Sequence, residues 1–129
     1  MTEAVLDASA ILALLKGERG GSKVANVVGD AAVGVFNEAE VVSHFVHLGA
    51  PIEEIRAMLG ALPYTVLPAD EALGWEAGAL RAVTSAAGLS LGDRFCLALA
   101  KRLGVPAYTA DRAWKDVAAD VGAKVVAIR

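Results

Sequence analysis

The chain has 129 residues, is 56% hydrophobic and 21% charged, and carries a net charge of −3 at pH 7 with a pI near 5.3. That length suits a single domain, 1–129, with a sizeable core, and is too short for two ordinary domains. The acidic balance argues against a simple electrostatic nucleic-acid binder, no apolar run approaches the ~18–20 residues of a membrane span, and the one cysteine, Cys96, excludes an intrachain disulfide and fits a reducing cytoplasm.

Taken in order, "AVL" (4–6) predicts a short strand ending at Asp7, followed by an apolar helix through "SAILALLK" that stops at Gly17. The start "MTEAVLD" lacks the basic region and cleavage site of a signal peptide. "SKVANVV" (22–28) predicts a brief helix ended by Gly29, and "AVGVF" (32–36) a second strand. "EAEVVSHFVHLG" (38–49) predicts a helix with Glu40 in its first turn. Pro51 suits the start of a helix over 51–62, "YTVL" (64–67) a third strand, and Asp70 the cap of a long helix through "EALGWEAGALRAVTSAAG". "LSLGDRFCLALAKRLG" predicts a helix over 89–104. Strand four is "PAYT" (106–109), a helix spans 112–122, and "KVVAI" (124–128) is strand five. Strands alternating with helices pair in parallel through right-handed crossovers. The expected fold is α/β: a three-layer α/β/α sandwich with a central parallel sheet of about five short strands.

The acids fall on one edge of such a sheet. Asp7 ends strand one, Glu40 opens the helix after strand two, and Asp111 lies two residues past strand four. Asp93 opens the helix that runs back into strand four, so it starts at the same edge, beside the switch point where α/β folds bind ligands. Asp93 also has a simpler role, because Ser90 and Asp93 have the S-x-x-D spacing of a capping box and the helix dipole favours an anion there. Helical spacing nevertheless puts it on the face of Cys96, Leu97 and Ala100, and an inward carboxylate needs a partner. Converging carboxylates repel and oppose folding unless a cation joins them. All-oxygen ligation suits Mg²⁺ or Mn²⁺, which can activate a water and stabilise charge on a phosphodiester oxygen. The competing explanation is coincidence among 15 acidic residues, since Asp is common at strand-end turns.

"VLDASAILALL", "FNEAEV", "LSLGDRFCLALA" and "YTADRAW" resemble, in order and spacing, the acidic motifs of PIN-domain ribonucleases, and most of all VapC-type toxins of toxin–antitoxin pairs. The resemblance covers essentially the whole chain. It implies a Mg²⁺- or Mn²⁺-dependent endoribonuclease, a homodimer, and restraint by a cognate VapB-like antitoxin. Asp7, Glu40, Asp93 and Asp111 match the family's acidic quartet. Ser9 and Thr109 match its small hydroxyl positions, and Asn37 the polar residue before the second acid, so the resemblance makes these three candidate substrate contacts. One departure is Ala113, where some members carry a further acid; Asp116, a turn later, either replaces it or is a solvated helix acid.

Other residues invite chemistry too. Glu40, His44 and His47 share a helical face, but the rise from 40 to 47 is about 10 Å, too long for all three to hold one zinc. Arg94 and Arg112 each adjoin a quartet aspartate, as surface ion pairs or as contacts to RNA phosphate. Lys16, Arg19 and Lys23 fall in or beside the Gly-rich stretch "KGERGGSK", which can touch RNA or antitoxin but has no phosphate-loop pattern. Trp75 and Trp114 read as core or interface anchors, Trp114 also as a rim of the site. The antitoxin is expected on the apolar helices between residues 22 and 62. The main alternative function is a catalytically silent PIN-scaffold binding module. A phospho-acceptor receiver would need its Asp where Leu67-Pro68 stand, and a haloacid-dehalogenase-like phosphatase would need Asp-x-Asp where the chain reads Asp7-Ala8-Ser9.

Overall fold

The computed structural model describes residues 1–129. Five short strands, β1 (Ala4–Leu6), β2 (Ala31–Gly34), β3 (Thr65–Leu67), β4 (Ala107–Thr109) and β5 (Val125–Ala127), form one sheet in the order β3-β2-β1-β4-β5. Every neighbouring pair is parallel, with Ala4 opposite Ala31 and Val5 opposite Ala107. β1 is central, so the chain winds outward from it in both directions and leaves a crevice at its C-terminal end.

The side-chain alternation of β1 builds two cores, one on each face. Ala4 and Leu6 join Ile11, Val24, Val41 and Ile55 from α1 (Ala8–Lys16), α2 (Gly21–Ala25), α3 (Val35–His47) and α4 (Ile52–Gly60). Val5 turns the other way, toward Leu73 of α5 (Glu71–Ala79), Leu97 of α7 (Leu91–Leu103) and Trp114 of α8 (Trp114–Val121). The expected three-layer α/β/α architecture is what forms. No helix is long and apolar enough to cross a membrane.

Several boundaries differ from the sequence-based expectation. The second strand stops at Gly34, whose extended backbone starts α3, so Val35 and Phe36 are helical and Glu40 lies in the second turn rather than the first. Phe36 stacks on Phe95 of α7 at 4.7 Å, and this helix–helix packing overrides the strand propensity of "VF". The long helix after Asp70 is instead α5, a short α6 (Arg81–Thr84) and a 3₁₀ turn, Ser85–Ala87. The segment 22–28 divides into α2 and a 3₁₀ turn, Val28–Asp30.

Candidate active site

Asp7 follows β1 and caps α1, where its carboxylate accepts from the Ala10 N–H at 2.8 Å. It also accepts from the Ser9 hydroxyl at 2.7 Å and from the Thr109 hydroxyl at 2.6 Å. Thr109 ends β4, the next strand, so the second bond crosses the sheet. The same two hydroxyls accept backbone N–H groups, Ser9 from Ala110 at 2.9 Å and Thr109 from Asp111 at 3.0 Å. This network fixes the turn that carries Asp111, whose own carboxylate accepts from the Ala113 N–H and remains exposed. Three donors would ordinarily hold a carboxyl low. Burial outweighs them, with the charge of Asp93 adding to it, and the Asp7 carboxyl is pushed up to about 6.

Glu40 is held by its own helix. Asn37, one turn earlier and 1% exposed, donates at 2.9 Å to Glu40 Oε1 and at 3.0 Å to the Gly92 carbonyl in the first turn of α7. A Cβ at Gly92 would lie 2.5 and 2.6 Å from the two Glu40 oxygens, so any larger residue there would push the carboxylate out of this position. Asp93 completes the capping box: it accepts from the Ser90 N–H at 2.8 Å while its own N–H donates to Ser90 Oγ at 3.2 Å. The cap and the charge are both real. Burial raises the Glu40 and Asp93 carboxyls against the pull of these bonds.

Asp93 is the electrostatic centre of the group. Its charge raises both Asp7 and Glu40; Asp111 raises Asp93 in turn, while the neighbouring Arg94 guanidinium lowers it. Cys96, one turn further along α7 and fully buried, has its thiol pushed well up by burial and by Asp7, Asp93 and Glu40, which makes it a small hydrophobe rather than a nucleophile. No Lys or Arg forms a salt bridge with any of the four acids. Yet no three Asp, Glu, His or Cys side chains sit close enough to hold one metal ion as they stand. The four carboxylates are neighbours in charge, not a preformed chelate.

The other sequence-predicted residues separate into two groups. Thr109 is 0% exposed and Asn37 1%, so neither can touch a substrate; they orient Asp7 and Glu40. Ser9 is half-buried and turned to Asp7 in the same way. Arg94 is not a phosphate contact either: it is buried, its Nε donates to Thr84 at 3.0 Å and its Nη2 to the Leu89 carbonyl at 2.9 Å, tying the α6–α7 connection to α7. Arg112 is exposed beside Asp111 and remains available. Asp116 is a solvated first-turn acid of α8. Glu40, His44 and His47 line one cavity of about 590 Å³ without forming a metal group, and His44 Nε2 lies 3.3 Å from Lys16 Nζ. Trp114 is fully buried in a core and forms no rim, whereas Trp75 is 75% exposed and outside either core.

Gly92 is the functional residue that sequence reasoning passed over. Its signal in the sequence was weak: a helical glycine can mark a close approach, but Gly60, Gly74 and Gly78 are helical too and have open space around them.

Residues 4–120 match the family model described as PIN domain. No curated protein matches the sequence. Among solved structures the fold resembles a toxin–antitoxin complex from Klebsiella pneumoniae, at 18% identity over 98% of both chains and a TM-score of 0.73. It equally resembles DNA-bound VapBC from Salmonella typhimurium, at 16% identity over 98% of both chains and 0.73. The Mycobacterium tuberculosis VapC20 toxin, which cleaves the sarcin–ricin loop, aligns at 15% identity over 88% of this chain and 94% of its own, with a TM-score of 0.73.

Proposed function

The chain belongs to the PIN domain family, and from that premise we propose that it is a Mg²⁺- or Mn²⁺-dependent endoribonuclease, the toxin of a toxin–antitoxin pair. The observation that carries this reading is Asp7, a carboxylate 4% exposed at the sheet's C-terminal edge, with only neutral hydrogen-bond donors around it and the charge of Asp93 nearby. A buried carboxylate with no counter-charge is costly. Asp7 bears that cost at neutral pH, and a divalent ion would remove it.

The donor set fits such an ion in chemistry, being all oxygen, although it is not a closed cage. That is the usual situation for Mg²⁺, which keeps several waters and is bound by one or two carboxylates together with substrate phosphate. One or two of Asp7, Glu40, Asp93 and Asp111 would hold it at a time, with waters and substrate phosphate completing its shell, and when bound it supplies Lewis-acid stabilisation and a more acidic water. Ser9 and Thr109 keep the Asp7 oxygens aimed and the β4 turn fixed. Asn37 and Gly92 keep Glu40 against the start of α7. Arg112, exposed beside Asp111, is the candidate contact to a phosphate oxygen of the RNA.

Likeness to toxin–antitoxin complexes supports a VapB-like antitoxin as partner. The lack of a ready-made chelate is also what a catalytically silent PIN scaffold would show. Cleavage separates the two. The purified protein should cut a labelled RNA in Mg²⁺ or Mn²⁺ and stop in EDTA, and Asp93→Asn should abolish cutting while keeping its fold. Full activity in that variant, or an intact wild type that leaves RNA uncut, overturns the assignment.

A further inference from the structure

A second charged feature lies beside the acids, on the β5 side. A cavity of about 490 Å³ is lined by Arg19 and Lys23 from the α1–α2 region, Arg112 and Lys115 from the β4–α8 region, and Arg129 after β5. All five are exposed, and no acidic side chain lines the cavity. In a chain with 12 Lys and Arg against 15 Asp and Glu, this is a marked concentration of positive charge. Only Arg129 is in a salt bridge, with Glu18 at 3.6 Å; the other four cations are unpaired. Unpaired cations crowded round a cavity repel one another and are best satisfied by an anion.

The cavity is built into the fold. Gly20 has φ +91°, and a Cβ there would lie 2.5 Å from the Ile128 carbonyl oxygen, so this turn packs directly on the end of β5. Arg129 then donates to the Arg19 carbonyl at 3.1 Å, closing the contact between segments at opposite ends of the sequence. The location ties it to the acids. Arg112 follows Asp111, and the cavity's Ala127 pairs with Thr109, the residue that donates to Asp7. One strand spacing, about 4.8 Å, therefore separates the cavity's strand from β4, which leads to Asp111, and two separate it from β1, which leads to Asp7.

We propose that this cavity binds the phosphodiester backbone of the RNA next to the scissile bond, so that the strand leaves the acidic site across the ends of β4 and β5. This rests on the ribonuclease reading. It also accounts for how a protein of net negative charge engages a polyanion: the acids receive one phosphate with its divalent ion, and the five cations receive its neighbours.

The test uses a fluorescein-labelled, mixed-sequence single-stranded RNA of 20 nucleotides, followed by anisotropy in EDTA across a KCl series. Lys23→Ala/Lys115→Ala should bind at least tenfold more weakly than wild type at low salt, with the log–log salt slope reduced by about 1.4, near 0.7 per lost contact. Arg81→Ala/Lys124→Ala, which removes two exposed cations elsewhere, should match wild type, and thermal unfolding should show all three proteins folded. Equal affinity and slope in the Lys23/Lys115 variant overturns the proposal, as does a wild type that fails to bind. Tighter binding of a poly-glutamate of the same length overturns it in favour of an acidic protein segment. Metal-dependent cleavage is measured in parallel. If wild type and the Lys23/Lys115 variant cut RNA equally well, the cavity proposal fails alone; if neither cuts, the ribonuclease reading fails with it.

Discussion

Asp7 and Asp70 perform the same local task in two parts of the molecule. Each ends an extended segment with nearly the same backbone, φ −83° and ψ 175° against φ −86° and ψ 174°, and each accepts the N–H three residues on, at 2.8 and 2.7 Å. Their surroundings make them opposites. Asp70 is exposed and takes a bidentate contact from Arg102 at 2.9 and 3.2 Å, which holds its carboxyl below the usual range. Asp7 is 4% exposed, has only neutral donors, and is pushed up to about 6. Capping explains both aspartates equally well, so it cannot explain why one lacks a counter-charge. That difference is what singles out Asp7 as the candidate site residue.

The widest separation between the two is in catalysis. Asp7→Asn should lower metal-dependent RNA cleavage by more than about 100-fold, beyond the usual effect of removing a supporting partner, while Asp70→Asn cuts at the wild-type rate. Equal activity of the two variants in the same assay would erase the distinction.

Next come the residues that hold the acids. Gly92→Ala places a methyl against the Glu40 carboxylate, and Thr109→Val removes the 2.6 Å hydrogen bond to Asp7. Each should cost roughly 10- to 100-fold in cleavage. Thr109→Val should also move the acidic limb of the pH–rate profile upward, because a donor that lowers the Asp7 carboxyl is gone. An unshifted profile would mean that Thr109 serves only packing.

The pH dependence of stability should show the two aspartates with opposite sign. Burial pushes the folded Asp7 carboxyl up to about 6, above the ordinary aspartate value of about 3.9, so its contribution is fully present below about pH 4 and lost as pH rises through about 6. The loss is on the order of 3 kcal/mol for the metal-free protein. Asp7→Asn should flatten this fall and be the more stable protein at pH 7, as read by urea unfolding. Asp70 works the other way, its stabilisation being present above the unfolded carboxyl range and lost as pH falls. Asp70→Asn should therefore give the smallest effect, a slight loss at neutral pH that disappears in acid.

Much of this was legible in the sequence because it depends on local signals. Strand–helix alternation, the capping box at Ser90 and the glycine stops follow from spacing alone, and they put Asp7, Asp93 and Asp111 on one edge. What was not legible depends on contacts between distant segments. "AVGVF" reads as a strand to its end until Phe36 finds Phe95. Arg94 reads as a surface cation until Thr84 and the Leu89 carbonyl fold over it. The basic cavity collects residues from three separate stretches through Gly20 packing on Ile128, and no window of sequence contains that contact. Asn37 and Thr109 were singled out, but their burial, which turns them from substrate contacts into supports, is a tertiary fact.

The most direct test of the central claim is thermal unfolding against Mn²⁺ concentration at pH 8, run on wild type, Asp7→Asn and Asp70→Asn. A cation that binds only the folded state raises the midpoint with concentration. Wild type and Asp70→Asn should rise together while Asp7→Asn stays flat. A rise in Asp7→Asn equal to that of wild type would mean that the buried, cation-free Asp7 is no part of a metal site.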